Sequence, residues 1–467
     1  GGSLIYANVL IRKDEDWFYR RNADGTTTPW PVSRKELDRH YDAVEAILAP
    51  KRYPYATSTP KTQAMWSASA GMPVTWGLPR LAVSFANPGD PPVPGEPIYD
   101  ATGSTTGNLH HRTRTTCRLC GECDLGCNYG SKNTLDYNYL TLAKDKGAEL
   151  RDLCEVKAFG PCPGGFWVRF VKHDEDGRGP TGPVELRCKR LVLAAGTFGS
   201  TFLLLKNKAN FPGFDPPRLG QSFSGNGDFL GFIHHIDHSK PSAPDLLSAS
   251  HGPVITSTIR VPDSVDDGNG PGFYIQDGGY PGFADWLVEM TDFKGELRRG
   301  LRFLRHSVTN WLFRRRNPEF DSQLEALLGD AHRSAGVLPL LGMGLDSADG
   351  VMALDTAGRL SLRWDSGHSG ALFDGVIRQM RALATAMHGK LTVDPLWHIH
   401  KKLVTVHPLG GCSMGTTGAD GVVNEHGQVF GLPGLVIADG SVMPGPVGPN
   451  PSLTIAALAD RFADELV

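Results

Sequence analysis

His407-Pro408-Leu409-Gly410-Gly411-Cys412 is followed, 43 positions after its histidine, by Asn450-Pro451. Between them runs Leu435-Val436-Ile437-Ala438-Asp439-Gly440-Ser441, an apolar strand ending in an acidic, glycine-containing turn. From Pro451 onward Leu453, Ile455, Ala456, Leu458, Ala459, Phe462 and Leu466 recur at helical spacing. Asn450 is expected as the N-cap of that helix, with Pro451 at its favoured first position. A rigid His-Pro turn and an amide at a helix start then bring a base and a hydrogen-bonding group toward one pocket. The plainer reading of the last segment is a well-capped helix and nothing more.

Working upstream, Arg190-Leu191-Val192-Leu193-Ala194-Ala195-Gly196-Thr197-Phe198-Gly199-Ser200 passes from an expected buried strand into a tight turn, with a helix over 201–206. Small residues at such a turn let a backbone approach a cofactor closely, although most strand-turn-helix units are only structural. Residues 351–364 alternate enough for a hairpin around Ala357-Gly358, and 373–387 read as an amphipathic helix. Residues 174–183 are the clearest polar hairpin or loop.

Composition narrows the function classes. A length of 467 residues supports two or more structural units, and 40% hydrophobic with 21% charged residues describes an ordinary globular chain. A formal net charge of -3 gives no bulk argument for nucleic acid. No run of about 18 apolar residues marks a transmembrane helix. The expected setting is soluble, cytoplasmic or peripheral to a membrane. The eight cysteines do not form a secreted disulfide framework, and Cys154, Cys162, Cys188 and Cys412 show no ligand spacing.

Four of the eight stand together as Cys117-x2-Cys120-x2-Cys123-x3-Cys127, the spacing of a bacterial ferredoxin loop. Four thiolates so arranged bind [4Fe–4S] or, less readily, zinc. Asn128 replaces the usual following proline, and one such run must supply every ligand. A structural loop of reduced or paired cysteines is the preferred expectation and a cluster the alternative.

The HPLGGC segment, the ADGS turn and the Asn-Pro pair together resemble the C-terminal signature of the glucose–methanol–choline (GMC) flavoenzymes, and the HPLGGC form is most similar to their cholesterol-oxidase-like branch. The cysteine loop, continuing Gly130-Ser131-Lys132-Asn133-Thr134, resembles that branch and its long-chain-alcohol-oxidase-like members. The opening Gly1-Gly2-Ser3-Leu4-Ile5-Tyr6-Ala7-Asn8 resembles a stretch that packs beside the flavin ring in this family.

The resemblance implies an α/β (α+β) protein, with an FAD-binding Rossmann-like domain formed by 1–236 and 401–467. A substrate domain built on an antiparallel sheet is inserted at 237–400. No GxGxxG leads from a strand into a helix, so the phosphate-binding unit is expected to belong to a missing N-terminal segment, and the chain alone to be a weak cofactor binder. The implied cofactor is FAD, bordered by Gly1, Gly2, Ser3, Asn8, Gly196, Asp439, Gly440, Asn450 and Pro451. Asp439 is implied to hold the ribityl or phosphate region. The implied reaction oxidises the CH–OH group of a hydrophobic alcohol, sterol-like or long-chain. His407 takes the hydroxyl proton, and Asn450 orients the hydroxyl or the flavin edge.

The family's sterol enzymes carry a glutamate near the position of Ser334, so double-bond isomerisation is not expected here. Two alternatives remain open: an iron–sulfur flavin dehydrogenase passing electrons to a protein or quinone, and an inactive fragment. Phe273, Tyr274, Tyr280, Phe283, Trp286 and Phe293 form either an apolar substrate pocket or a domain core. Lys294, Arg298, Arg299, Arg302, Arg305, Arg314, Arg315 and Arg316 face one acid, Glu296, within 294–316. This basic stretch is either a solvated helix face or a contact with anionic membrane.

Overall fold

A computed structural model describes residues 1–21, 26–100, 102–175, 179, 182–244, 247–263, 272–281, 336–393, 397 and 401–466. Ser33 opens the helix Arg34–Leu48 with a reciprocal capping box to Glu36, satisfying two otherwise unpaired main-chain donors. Leu37, Tyr41, Val44 and Leu48 are its buried stripe. That stripe meets the helix Ser452–Asp464 in the larger core, where Leu453, Leu458 and Phe462 are buried. The side chains of Tyr41 and Thr454 meet at 2.9 Å, and His40 Nδ1 lies 2.8 Å from Asp460.

Beside these helices the strand Leu435–Ile437 pairs in parallel with Leu191–Leu193. The chain turns from Leu193 directly into the helix Gly196–Asn207, five residues earlier than expected from 201–206. Among the described residues Leu191–Leu193 has a single strand partner, and only Leu193 is buried. Val192 is 42% exposed, which corrects the expectation of a buried strand. A three-stranded antiparallel meander, Cys154–Cys162, Gly165–Lys172 and Val184–Cys188, lies alongside, with the polar stretch 174–183 connecting its last two strands.

The second core is an antiparallel six-stranded sheet. Its order is Lys390–Val393, Phe229–His234, Leu338–Gly344, Phe273–Asp277, Thr258–Val261 and Thr75–Gly77. The helix Gly370–Ala386 covers it with Phe373, Val376, Met380 and Leu383, each burial stabilising by roughly 1.5–3 kcal/mol. Gly342 is small of necessity, since a Cβ there would stand 2.5 Å from Val376 Cγ1. Two of the six strands, Thr75–Gly77 and Phe229–His234, precede residue 237, so the sheet reaches across the expected boundary. The coexistence of a parallel ladder and an antiparallel sheet is the expected α/β architecture.

Val351–Leu354 pairs with Leu360–Arg363 around Gly358 at φ 72°, the expected hairpin. Phe273 and Tyr274 are buried in the cores rather than open to a pocket. Phe283, Trp286, Phe293, Ser334 and the basic stretch 294–316 lie outside the described residues. Among the described residues no helix is long and apolar enough to cross a membrane.

Candidate active site

The glycine doublet of His407-Pro408-Leu409-Gly410-Gly411 is required by close approach. Gly410 and Gly411 hold φ of 85° and 102°, where L side chains are strained. A Cβ on Gly410 would lie 2.0 Å from the Ser222 carbonyl, and one on Gly411 would lie 2.4 Å from Thr201 Oγ1. Leu409 and Ser224 exchange main-chain hydrogen bonds at 3.0 Å, fixing the turn against 222–224. Cys412 packs behind it, fully buried, and burial pushes its thiol up to about 12.

The segment it docks against, Ser224-Gly225-Asn226-Gly227-Asp228, organises the site. The Asp228 side chain is only 1% exposed. Its Oδ2 accepts from the Val406 and His407 N–H groups (2.8 and 3.0 Å) and from Thr405 Oγ1 (3.0 Å). Its Oδ1 accepts from His407 Nδ1 at 2.8 Å. A carboxylate fixed by three other donors holds the imidazole as the Nδ1–H tautomer, leaving the Nε2 lone pair for other work. Two residues earlier, Asn226 Oδ1 accepts from Val447 and Gly448 N–H at 2.8 and 2.9 Å, and Nδ2 donates to the Gly448 carbonyl. One five-residue turn therefore anchors both the His407 segment and the approach to Asn450. Asp346 supports it from beneath, accepting from Ser224 Oγ and Gly225 N–H. Burial pushes the Asp346 carboxyl up to about 7, partly opposed by these bonds.

Asn450 is not the helix cap. The helix begins at Ser452 with Pro451 in the cap position. The Asn450 amide is drawn away into a reciprocal pair with Gln276: Gln276 Nε2 donates to Oδ1 at 2.8 Å, and Asn450 Nδ2 donates to Gln276 Oε1 at 3.1 Å. Both side chains are buried, and the reciprocal pair satisfies a donor and an acceptor of each amide.

Asp439 is likewise engaged within the chain. It accepts from Gly196 N–H (3.0 Å), Ser200 Oγ, Ser441 N–H (2.9 Å) and Ser441 Oγ (2.6 Å). Four donors fill a carboxylate's capacity, so Asp439 ties the Gly196 turn to the Gly440 turn and presents no unfilled acceptor position. Gly440 is confined, with Thr197 Oγ1 2.8 Å from where its Cβ would stand. Gly196, at φ 79°, faces open space.

The opening segment lies against the cysteine loop. Lys132 Nζ donates to the carbonyls of Leu4 (2.8 Å), Tyr6 (3.2 Å) and Cys123 (2.7 Å). Gly1 and Gly2 have open space beside them, and Ser3 Oγ accepts from Leu135 N–H at 3.4 Å. Leu4 and Ile5 in this segment, Leu125 in the cysteine loop and Val406 beside His407 are exposed. Asn8, at φ 68°, is fully buried facing the Cys123 thiol, and neither amide atom makes a hydrogen bond of good geometry. Asp124 follows Cys123 in the cysteine loop and is exposed to solvent. Its surroundings push the carboxyl up to about 6, opposed by Lys132, Lys61 and His407.

Of the predicted residues, His407 and Asn450 are tied to a common turn, while Gly196, Asp439 and Gly440 form a second cluster on the Gly196–Asn207 helix start. Sequence reasoning missed Asp228, Asn226, Gln276, Lys132 and Asp124. The one local signal was Ser224-Gly225-Asn226-Gly227-Asp228 itself, in which glycines alternate with side chains able to bond main-chain groups.

Residues 371–459 match the family described as GMC oxidoreductase. The chain is 30% identical over 483 residues to a cholesterol oxidase of Mycobacterium tuberculosis, covering 99% of this chain and 77% of that protein. It is 24% identical to a cholesterol oxidase of Acinetobacter baumannii over 99% and 79% of the two chains. An FAD-dependent oxidoreductase from Chaetomium thermophilum shares the fold at a TM-score of 0.55 and 14% identity, over 100% of this chain and 85% of that one.

Proposed function

The chain belongs to the GMC oxidoreductase family, and we propose that it oxidises the CH–OH group of a hydrophobic alcohol with His407 as the base. The observation that carries this reading is the His407–Asp228 pair, which fixes the ring through Nδ1 and directs Nε2 away from the carboxylate on a ring still 18% exposed.

The residues fit the flavin that this family uses. Gly1, Gly2 and Gly196 have no atom within 4 Å of where a Cβ would stand, so a ligand can approach their backbone. Exposed Leu4, Ile5, Leu125 and Val406 supply the apolar surface that a planar ring buries. Gly1, Gly2, Ser3 and Gly196 would border FAD, and Asp439 would shape the turns that hold it. When bound, FAD supplies the hydride acceptor.

His407 Nε2 accepts the hydroxyl proton, and the resulting imidazolium is stabilised by Asp228, already oriented by three further hydrogen bonds. Asn450, held by Gln276, orients the hydroxyl. Similarity to cholesterol oxidases and the aliphatic walls at Leu125 and Val406 both favour a sterol-like or long-chain substrate.

The test is anaerobic mixing of FAD-loaded protein with a sterol or a long-chain primary alcohol. Bleaching of the flavin absorbance is expected with one of them. In His407→Ala it slows by roughly 10²–10⁴-fold while flavin is retained. Loaded protein that bleaches with neither alcohol, or a variant as fast as the parent, would overturn the assignment.

A further inference from the structure

We propose that Asp346 is a positioning residue of this site, whose proton sets how strongly Asp228 holds the His407 ring. The inference rests on the reading of His407 as the base of the alcohol oxidation. Two buried carboxyls grip one five-residue turn. Asp228 ends it and holds His407, while Asp346 takes up its other end.

Asp346 is 2% exposed and follows the strand Leu338–Gly344. Its Oδ1 accepts from Ser224 Oγ at 2.5 Å and its Oδ2 from Gly225 N–H at 2.8 Å, and Gly227 N–H faces the same carboxyl. The strand end is fastened to the turn as well. Gly344 N–H donates to the Asn226 carbonyl at 3.1 Å, and a Cβ on Gly227 would stand 2.5 Å from Gly344 N. Ser224 is the knot, since it also exchanges main-chain bonds with Leu409, and its Oγ accepts from Asn226 N–H at 3.0 Å. From Gly225 a hydrogen-bonded path runs on to the base. The Gly225 carbonyl accepts from Thr405 Oγ1 at 3.0 Å, and Thr405 Oγ1 accepts from His407 N–H at 3.1 Å. Thr405 Oγ1 is equally 3.0 Å from Asp228 Oδ2. A hydroxyl has one proton, so Thr405 donates either to the turn or to the carboxylate that holds His407.

Charge makes that choice. Burial and the like charge of Asp228 favour the protonated form of Asp346, whereas its three donors favour the ionised form, which leaves the carboxyl pushed up to about 7. Asp228 is the charged group that the turn presents to it. The start of the helix Gly370–Ala386 presents a neutral group, the Ser369 hydroxyl, to Ser347 N–H at 2.8 Å. Asp349, three residues on, is paired instead with the exposed His368. When Asp346 releases its proton to water, a second negative charge stands behind Asp228 in an interior that screens it poorly. The Thr405 proton is then drawn to Asp228, and an imidazolium at His407 gains a further opposite charge. The base therefore takes up the hydroxyl proton more readily above about pH 7 than below it.

The first measurement needs neither alcohol nor flavin. The ring-nitrogen chemical shifts of isotopically labelled His407, assigned with His407→Gln, are followed from about pH 5.5 to 8.5 by nuclear magnetic resonance. A step near about pH 7 is expected in the wild type and should be absent in Asp346→Asn. The same His407 response in both proteins would overturn the proposal. Infrared spectroscopy gives a second readout that does not depend on this variant folding. The wild type should show a protonated carboxyl band that fades over the same interval and moves in Ser224→Ala. A folded wild type without that band would also overturn the proposal. In FAD-loaded protein the anaerobic bleaching rate should lose a rise of roughly 3–30-fold across this interval in Asp346→Asn. If the His407 step is present but no alcohol bleaches the flavin, the link from Asp346 to His407 stands and the alcohol reading alone fails.

Discussion

Asp228 Oδ1 lies 2.8 Å from His407 Nδ1, a contact between residues 179 positions apart. It sets the imidazole tautomer and stabilises the charge that a base acquires on protonation. Replacing the carboxylate by an amide keeps the shape and removes the charge. Asp228→Asn should lower kcat by roughly 10²–10⁴-fold. Flavin content should be unchanged, and steady-state kinetics on FAD-loaded protein would show it. A loss below tenfold would mean that Asp228 is structural only.

Gln276→Ala leaves the buried Asn450 amide without its partner. The expected cost is about 1–3 kcal/mol, the desolvation penalty of an unsatisfied polar group. Denaturant unfolding followed by tryptophan fluorescence would measure it. A variant as stable as the parent would show that the amide finds another partner.

Asp346 gives a pH dependence with a definite sign. Its folded pKa, about 7, lies above the model-peptide value of 3.8. The folded protein therefore keeps a proton that the unfolded chain releases. The associated stability is full below about pH 4 and lost as pH rises to about 7, up to roughly 4 kcal/mol. Asp346→Asn should flatten this portion of the profile, as measured by unfolding of both proteins from pH 4 to 8. Parallel profiles would sink the assignment.

Gly410→Ala forces a Cβ into the Ser222 carbonyl at a backbone angle suited to glycine. The expected destabilisation is at least about 1–3 kcal/mol. The thermal midpoint should fall and alcohol turnover with it. An unchanged midpoint would mean that the turn moves freely.

Features carried by local pattern were legible in the sequence. The Gly410-Gly411 turn, the Gly358 hairpin and the amphipathic helix over 370–386 follow from residues within a few positions of one another. What escaped depends on distant partners. Asn450 reads as a cap beside Pro451, and only Gln276, 174 positions away, draws its amide elsewhere. Phe229–His234 carries no mark of its destination, which is set by pairing with Leu338–Gly344 and Lys390–Val393. Asp228 carries no local mark of its role, which depends on folding bringing Thr405, Val406 and His407 to it.

The pairing of the helices Arg34–Leu48 and Ser452–Asp464 also bears on how the protein is made. Tyr41 waits 413 residues for Thr454, and Leu191–Leu193 waits for the strand at Leu435–Ile437. During translation Leu37, Val44 and Leu48 emerge from the ribosome long before the side chains that cover them. The antiparallel sheet can close first, leaving this apolar stripe as the surface that a chaperone would hold until the final helix is released.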